Sequence, residues 1–214
     1  MERPVTRGLG FGLVFLGLVG TIVSCALPLW RLSLPEEPVN TTLGSGARRV
    51  WEGLWVCCSR GDPGEGSHCQ AYPSPWSLPL DVQAARALTL IAGALGLVAA
   101  CAGAASVLGC PRLQDPVHRG DLGVCGGLLA LSAGVLELLA AGWAVHSARQ
   151  GRDDPLVALD AKRVPGPAVH LALAAGAALL LGGILLCLSW PKESDRYPPE
   201  LQKAASTAGK PGRV

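Results

Sequence analysis

The chain has 214 residues, of which 50% are hydrophobic and 16% are charged, and its formal net charge is +2. A water-soluble domain is excluded by the arrangement of these residues, because the apolar ones stand in long blocks that hold almost no charge. The small net charge also argues against nucleic-acid binding, which depends on a strongly basic surface.

Four apolar blocks predict four transmembrane helices. Each block exceeds the roughly 20 residues that cross a hydrocarbon core about 30 Å thick, and a helix satisfies its own backbone groups in lipid. The first block is longer than the apolar core of a secretory signal peptide, so we expect it to be retained. The predicted spans are residues 8–29, 83–110, 122–145 and 164–190.

The segments outside the spans differ in length and composition. Residues 30–82 and 147–163 form a large and a smaller loop on one side of the membrane. Lysine and arginine are almost evenly divided between the two sides, so the positive-inside rule does not set the orientation. Residues 191–214 lack apolar periodicity, and we expect a disordered tail there.

The large loop combines tryptophans with cysteines. Trp30 opens it at a span end, a position that suits an interfacial ring. Cys57, Cys58 and Cys69 allow at most one disulfide within the loop, and a disulfide requires an oxidising compartment, which places the loop outside the cell. Residues 49–51 and 54–56 favour β-strands, although polar and apolar residues alternate only weakly there.

A glycosylation sequon lies in the same loop at Asn40-Thr41-Thr42. Such triplets also occur by chance, so a modified and an unmodified Asn40 are both compatible with the sequence. A glycan at this position would obstruct packing between neighbouring molecules.

Glu137 interrupts the third predicted span, where an ionisable side chain is costly. It can be neutral, it can bond to a polar partner in the bundle such as Ser132, or it can extend outward to the interface. A proton or ion path is not predicted, because the chain has few other polar groups at that depth.

Residue types found in enzyme sites are present but scattered. The four histidines show no metal-ligand spacing, and no nucleophile pairs with a base. We therefore predict no enzyme activity, no catalytic residue, no metal and no cofactor.

The large loop contains, in order, Trp30, Gly53-Leu54-Trp55 and the cysteines. This order resembles the W…GLW…C…C signature of the claudins, which are four-helix proteins of tight junctions. Arg86 matches the arginine that completes this signature, within a QAARAL stretch similar to the start of the second claudin helix. A second stretch is similar to the NPLVA motif of several claudins, with aspartate in place of asparagine, and comprises Asp154, Pro155, Leu156, Val157 and Ala158.

The resemblance implies an all-α membrane bundle of four transmembrane helices with a small extracellular antiparallel β-sheet. The claudin-like domain would span residues 1–190, with both termini in the cytoplasm. The resemblance also implies a disulfide between Cys58 and Cys69, which leaves Cys57 as an additional thiol. We expect Arg86 to hydrogen-bond loop carbonyls in a structural role.

Claudins assemble side by side and head to head. The resemblance therefore implies a structural component of tight junctions at the plasma membrane, contributing to cell–cell adhesion and to the paracellular barrier. Its partners would be membrane lipids, further copies of itself and other claudins. An alternative is an auxiliary subunit of a channel or receptor, a role found in the wider claudin-like superfamily.

Three departures from the family pattern bear on assembly. Pro73 and Pro75 interrupt a short helix that makes side-by-side contacts in claudins, and Arg152-Asp153 replace an aromatic pair beside the adhesion loop. Terminal Val214 keeps only part of the usual PDZ-domain ligand, so we expect weak scaffold binding.

Overall fold

Four long helices and a small sheet make up the part of the chain that the structure describes. This computed structural model describes residues 2–33, 49–60, 66–72, 78, 80–109, 116–153 and 163–189. The tail at 191–214 and the prolines at 73 and 75 lie outside these residues.

All four predicted spans are confirmed as helices long and apolar enough to cross a membrane. The second helix continues into a π-helical segment, Ala105–Gly109. The fourth begins with Pro167 at its first position, where a proline costs no hydrogen bond. The helices are α1 Glu2–Ala26, α2 Leu80–Ala104, α3 Pro116–Asp153 and α4 Pro167–Leu188.

The helix ends differ from the predicted spans most clearly in α3, which was expected at 122–145. The observed helix has 38 residues and includes His118, Arg119 and Arg149. Hydropathy locates only the part of a helix that suits hydrocarbon, whereas backbone hydrogen bonding continues into polar flanking sequence. The predicted bounds therefore underestimate the helix, of which His118–Arg149 is long and apolar enough to cross a membrane.

Small residues let the helices meet backbone to backbone. A Cβ added at Gly182 of α4 would lie 2.8 Å from the carbonyl oxygen of Gly10 in α1, and one at Gly183 would lie 2.7 Å from that of Gly127 in α3. Such approach is the usual basis of helix association in lipid, where hydrophobicity provides no drive. Large apolar side chains point outward instead, as Leu16, Leu90, Leu139 and Leu181 show on the four helices.

Two groups of buried apolar residues form the core. The inner core cluster contains Val14, Leu18, Ala99, Ala100, Ala130, Ala133, Leu179 and Leu186. The outer core cluster lies next to the sheet and contains Trp30, Leu54, Ala85, Ala141, Ala144, Ala168, Val169 and Ala172.

Five antiparallel strands form one sheet in the order β4-β3-β2-β1-β5. The β2–β3 register places Trp51 opposite Cys58, and the β3–β4 register places Cys58 opposite Cys69. A helical membrane bundle with a small antiparallel sheet confirms the predicted fold class. The strands are β1 Arg31–Ser33, β2 Arg49–Glu52, β3 Val56–Arg60, β4 His68–Ala71 and β5 Arg163–Pro165.

One strand prediction was wrong and one strand was not predicted. Leu54 and Trp55 lie in the link between β2 and β3, because the Gly53 N–H donates to the Val56 carbonyl at 2.9 Å and closes a turn. β5 lies at the start of the fourth apolar block, where Val164 pairs with Leu32 of β1. Pairing with a strand more than a hundred residues away leaves no local pattern in the sequence.

Glu137 is fully buried and bonds to the Ser24 hydroxyl of α1. The suggested partner Ser132 is exposed instead, and its hydroxyl donates to the Leu128 carbonyl within α3. The two residues are five positions apart on α3, which corresponds to a rotation of about 140° and places them on different faces of the helix.

Substituting Gly166 by alanine should disrupt the junction between β5 and α4. The backbone φ of Gly166 is −86°, which any residue adopts, so the constraint is space alone. An added Cβ would overlap the carbonyl group of Leu29, and overpacking of this kind costs about 1–3 kcal/mol or more. We expect a clear fall in the melting temperature of the detergent-purified protein.

Gly142→Ala is the matched control, because a Cβ there would meet nothing within 4 Å. Equal melting temperatures for the two variants would contradict the packing at Gly166.

Candidate functional site

Trp30 joins the start of the sheet to the end of the first helix. Its indole Nε1 donates to the Ser24 carbonyl at 2.8 Å, and the side chain is only 3% exposed. The last carbonyls of a helix have no partner within the helix, so this bond satisfies one of them. Trp30 is thus a core residue, packed within the protein rather than exposed on its surface. Trp143 on α3, by contrast, is 54% exposed.

Trp55 forms a hydrogen bond with the next carbonyl along α1. Its Nε1 donates to the Cys25 carbonyl at 3.0 Å, while its ring remains 41% exposed. The two signature tryptophans therefore bind consecutive carbonyls at the end of one helix. They come from different parts of the loop, so these bonds fix where the sheet lies on the bundle.

Gly53 and Leu54 form the contact between the sheet and the helices. A Cβ at Gly53 would lie 2.5 Å from the Cα of Pro28, so only glycine lets the turn approach this closely. Leu54 is 2% exposed and belongs to the outer core cluster. The apolar side chain of the turn is buried on the bundle, and the glycine makes room for the burial.

Arg86, in the second turn of α2, holds the same turn from the other side. Its Nε donates to the Leu54 carbonyl, which is a bond of the kind expected from the sequence. The guanidinium carbon also lies 5.0 Å from the centre of the Trp55 ring and 5.3 Å from that of Tyr72. Cation–π attraction to two rings, added to the hydrogen bond, gives this arginine a positioning role.

Tyr72 was missed by sequence reasoning. Its hydroxyl donates to the Gly53 carbonyl at 3.3 Å, so it closes the site opposite Arg86. Burial, followed by the nearby charge of Glu52, raises the pKa of Tyr72 to about 12, which keeps the phenol neutral. Its position just after β4 gives no signal in the sequence, because the contact depends on the folded sheet.

The disulfide joins Cys58 of β3 to Cys69 of β4, as the family resemblance implied. Cys58 is fully buried, and closing a loop of this size contributes about 3 kcal/mol in the chain-entropy description. Cys57 faces the other side of the sheet, since neighbouring strand residues alternate, and it is a thiol.

Charged residues around the sheet are largely engaged with one another. Arg31 lies 3.7 Å from Asp81 and donates to the Ser147 hydroxyl, which links β1 to α2 and α3. Arg163 of β5 pairs with Glu52 of β2 at 2.9 Å. Both ion pairs therefore lie within the molecule and connect the sheet to the helices or one strand to another.

The structure brings together the signature residues Trp30, Gly53, Leu54, Trp55 and Arg86 with the disulfide. The remaining predicted site residues lie outside the described part of the chain: Asn40, Asp154, Pro155, Leu156, Val157, Ala158 and Val214.

Comparison with known proteins identifies relatives of this arrangement. Residues 8–186 match the sequence profile described as the PMP-22/EMP/MP20/Claudin family. The chain is 37% identical to human claudin-3 over 88% of its own length and 83% of the relative's. It is 34% identical to dog claudin-4 over 94% of its length and 93% of the relative's. It is also 37% identical to human claudin-6 over 94% and 89%.

Replacing Arg86 by alanine should loosen the turn at Gly53–Trp55. The change removes a charged hydrogen bond and two ring contacts, a loss of about 2–3 kcal/mol. We expect a fall of several degrees in the melting temperature. Arg86→Lys should recover little, because lysine has no planar guanidinium.

Arg60→Ala is the matched control, because Arg60 is an exposed arginine at the end of β3. A surface change of this type should cost less than about 0.5 kcal/mol. Equal melting temperatures for Arg86→Ala and Arg60→Ala would refute the positioning role of Arg86.

Proposed function

The chain belongs to the PMP-22/EMP/MP20/Claudin family, and we propose that it acts as a claudin-like structural component of tight junctions. It contributes there to cell–cell adhesion and to the paracellular barrier. The observation that carries this function is identity of 34–37% to claudins across most of the chain. The relatives do not favour the alternative of an auxiliary channel or receptor subunit.

We propose that both termini lie in the cytoplasm, and the disulfide and the number of spans support this orientation. A disulfide between β3 and β4 requires an oxidising compartment, so the sheet faces the extracellular side. Four spans return the chain to the side on which it started, so both termini lie in the cytoplasm. At the cytoplasmic end of the bundle, the Arg7 guanidinium of α1 donates to the carbonyl of Ser189, the residue that follows α4.

The proposed side-by-side assembly uses the free edge of the sheet. β4 is the last strand in the sheet order, and all four of its residues are exposed. An exposed edge strand presents backbone N–H and C=O groups that can pair with another chain. A second copy of this protein or another claudin is the proposed partner.

Head-to-head contact uses the segment after α3. This helix continues to Asp153, about 12 Å beyond Val145 at the usual rise per residue. Asp154, Pro155, Leu156, Val157 and Ala158 follow, and we propose them as the adhesion segment. Arg152 and Asp153 bring charge to a place where claudins have aromatic residues, which weakens apolar contact with an opposing molecule.

The surface of the sheet favours a barrier over a strongly selective pore. Arg31, Glu52, Asp81 and Arg163 are paired within the molecule. The β2–β3 register places two exposed arginines, Arg49 and Arg60, opposite each other at one end of the sheet.

Further proposed contacts involve lipid, sugar and scaffold. Exposed leucines on all four helices face membrane lipid. Asn40 is the proposed glycan acceptor, and Val214 a weak ligand for PDZ domains.

Expression in claudin-free fibroblasts tests the proposed function. We expect continuous strands in freeze-fracture images of cell contacts, because the described part of the chain holds the sheet on the bundle through the signature residues. The double variant Cys58→Ser/Cys69→Ser should reach contacts poorly and form few strands.

Cys57→Ser is the matched control, because it leaves the disulfide intact, and it should form strands like the wild-type chain. Wild-type protein that reaches cell contacts without forming strands would overturn the proposed function.

A further inference from the structure

A layer of polar side chains separates the two core clusters inside the membrane bundle. Its members are at most 1% exposed: Thr21 and Ser24 of α1, Thr89 of α2, and Glu137 of α3. On α3 the inner core cluster ends at Ala133 and the outer core cluster starts at Ala141, with Glu137 between them. The layer is therefore enclosed by apolar residues on both sides.

The Ser24 hydroxyl lies within hydrogen-bond distance of two acceptors. The Ser24 hydroxyl oxygen lies 2.9 Å from the Thr21 carbonyl oxygen and 3.2 Å from Glu137 Oε1. A hydroxyl has one proton, and a carbonyl oxygen only accepts. The Ser24 hydroxyl has both the Thr21 carbonyl and Glu137 Oε1 as acceptors for its single proton. Glu137 Oε1 therefore receives at most a shared hydrogen bond, which offsets little of the cost of burying an ionised carboxylate.

The charges around Glu137 are consistent with a neutral acid. Its titratable neighbour on α1 is the Cys25 thiol. Among the described residues no lysine or arginine forms an ion pair with it, and α2 and α4 present Thr89, Ala92 and Ala175 at this depth. An ionised carboxylate without a cation would be costly here.

Three oxygen atoms in the layer make no hydrogen bond to the described part of the chain: Thr21 Oγ1, Thr89 Oγ1 and Glu137 Oε2. They come from three different helices. The residues beside them are small: Ala92 is fully buried on α2, and a Cβ at Gly93 would lie 3.9 Å from the Thr21 methyl carbon. A water molecule in a protein interior is held by two to four polar partners, and buried oxygens without a partner in the chain are the groups that such a water satisfies.

We propose that protonated Glu137, Thr21 and Thr89 bind ordered water between α1, α2 and α3, within the membrane-spanning core. The water bridges the unpaired oxygens and couples the three helices. The Ser24 carbonyl also accepts a hydrogen bond from the Trp30 indole. The hydrated layer therefore supports the part of α1 that holds the sheet. This site is independent of the proposed junctional function.

Infrared spectroscopy of the purified full-length protein at neutral pH tests the state of Glu137. We expect the C=O band of a protonated carboxylic acid in the wild-type chain and its loss in Glu137→Gln. Glutamine retains polar atoms at the position, so this variant is expected to fold. A spectrum that contains only ionised carboxylate bands would overturn the proposal.

A double-mutant cycle tests the water. Thr89 and Glu137 share no direct hydrogen bond, so a bridging water predicts coupling between Thr89→Val and Glu137→Gln. The loss of melting temperature caused by Thr89→Val should be at least halved in the Glu137→Gln background. Thr89→Ser, which keeps the hydroxyl, should behave like the wild-type chain.

Two results would overturn the water site. Additive effects of Thr89→Val and Glu137→Gln would show that no water couples the two positions. Stabilisation by sodium but not by N-methylglucamine, lost in Glu137→Gln, would show that the layer binds a cation instead.

Discussion

The extracellular part of this protein depends on two hydrogen bonds, which indole N–H groups donate to carbonyl groups at the end of α1. The last carbonyls of a helix have no partners within the helix. Trp30 and Trp55 supply N–H donors to Ser24 and Cys25 from two separate points of the loop. The bonds satisfy the helix end and set the position of the sheet together.

The rest of the sheet builds outward from this contact. The Trp30 backbone N–H donates to Glu52 of β2, and its carbonyl accepts from Gly166 before α4. β1 is thereby bound between β2 and β5, and Arg86 of α2 bonds to the turn that carries Trp55. β1, β2, β5 and the turn before β3 are positioned relative to the helices by these few contacts.

The features predictable from sequence are those with a local or compositional signal. Hydropathy identifies the four spans, and the order of Trp30, Gly53, Leu54 and Trp55 indicates the family. Partners contributed by distant segments were missed or misassigned: β5, the Tyr72 hydroxyl, and Ser24 as the residue bonded to Glu137. Each arises from packing between elements far apart in the chain, and a single sequence carries no record of that packing.

Hydrogen–deuterium exchange of the Trp30→Phe/Trp55→Phe variant tests the role of the indoles most directly. Each substitution removes one hydrogen bond, worth about 1 kcal/mol. The account predicts exchange at least roughly tenfold faster in β1–β3, with α3 and α4 unchanged. Trp143→Phe, which loses only an exposed bond to Asp81, should leave the sheet protected. Unchanged protection of β1–β3 in the double variant would contradict the account.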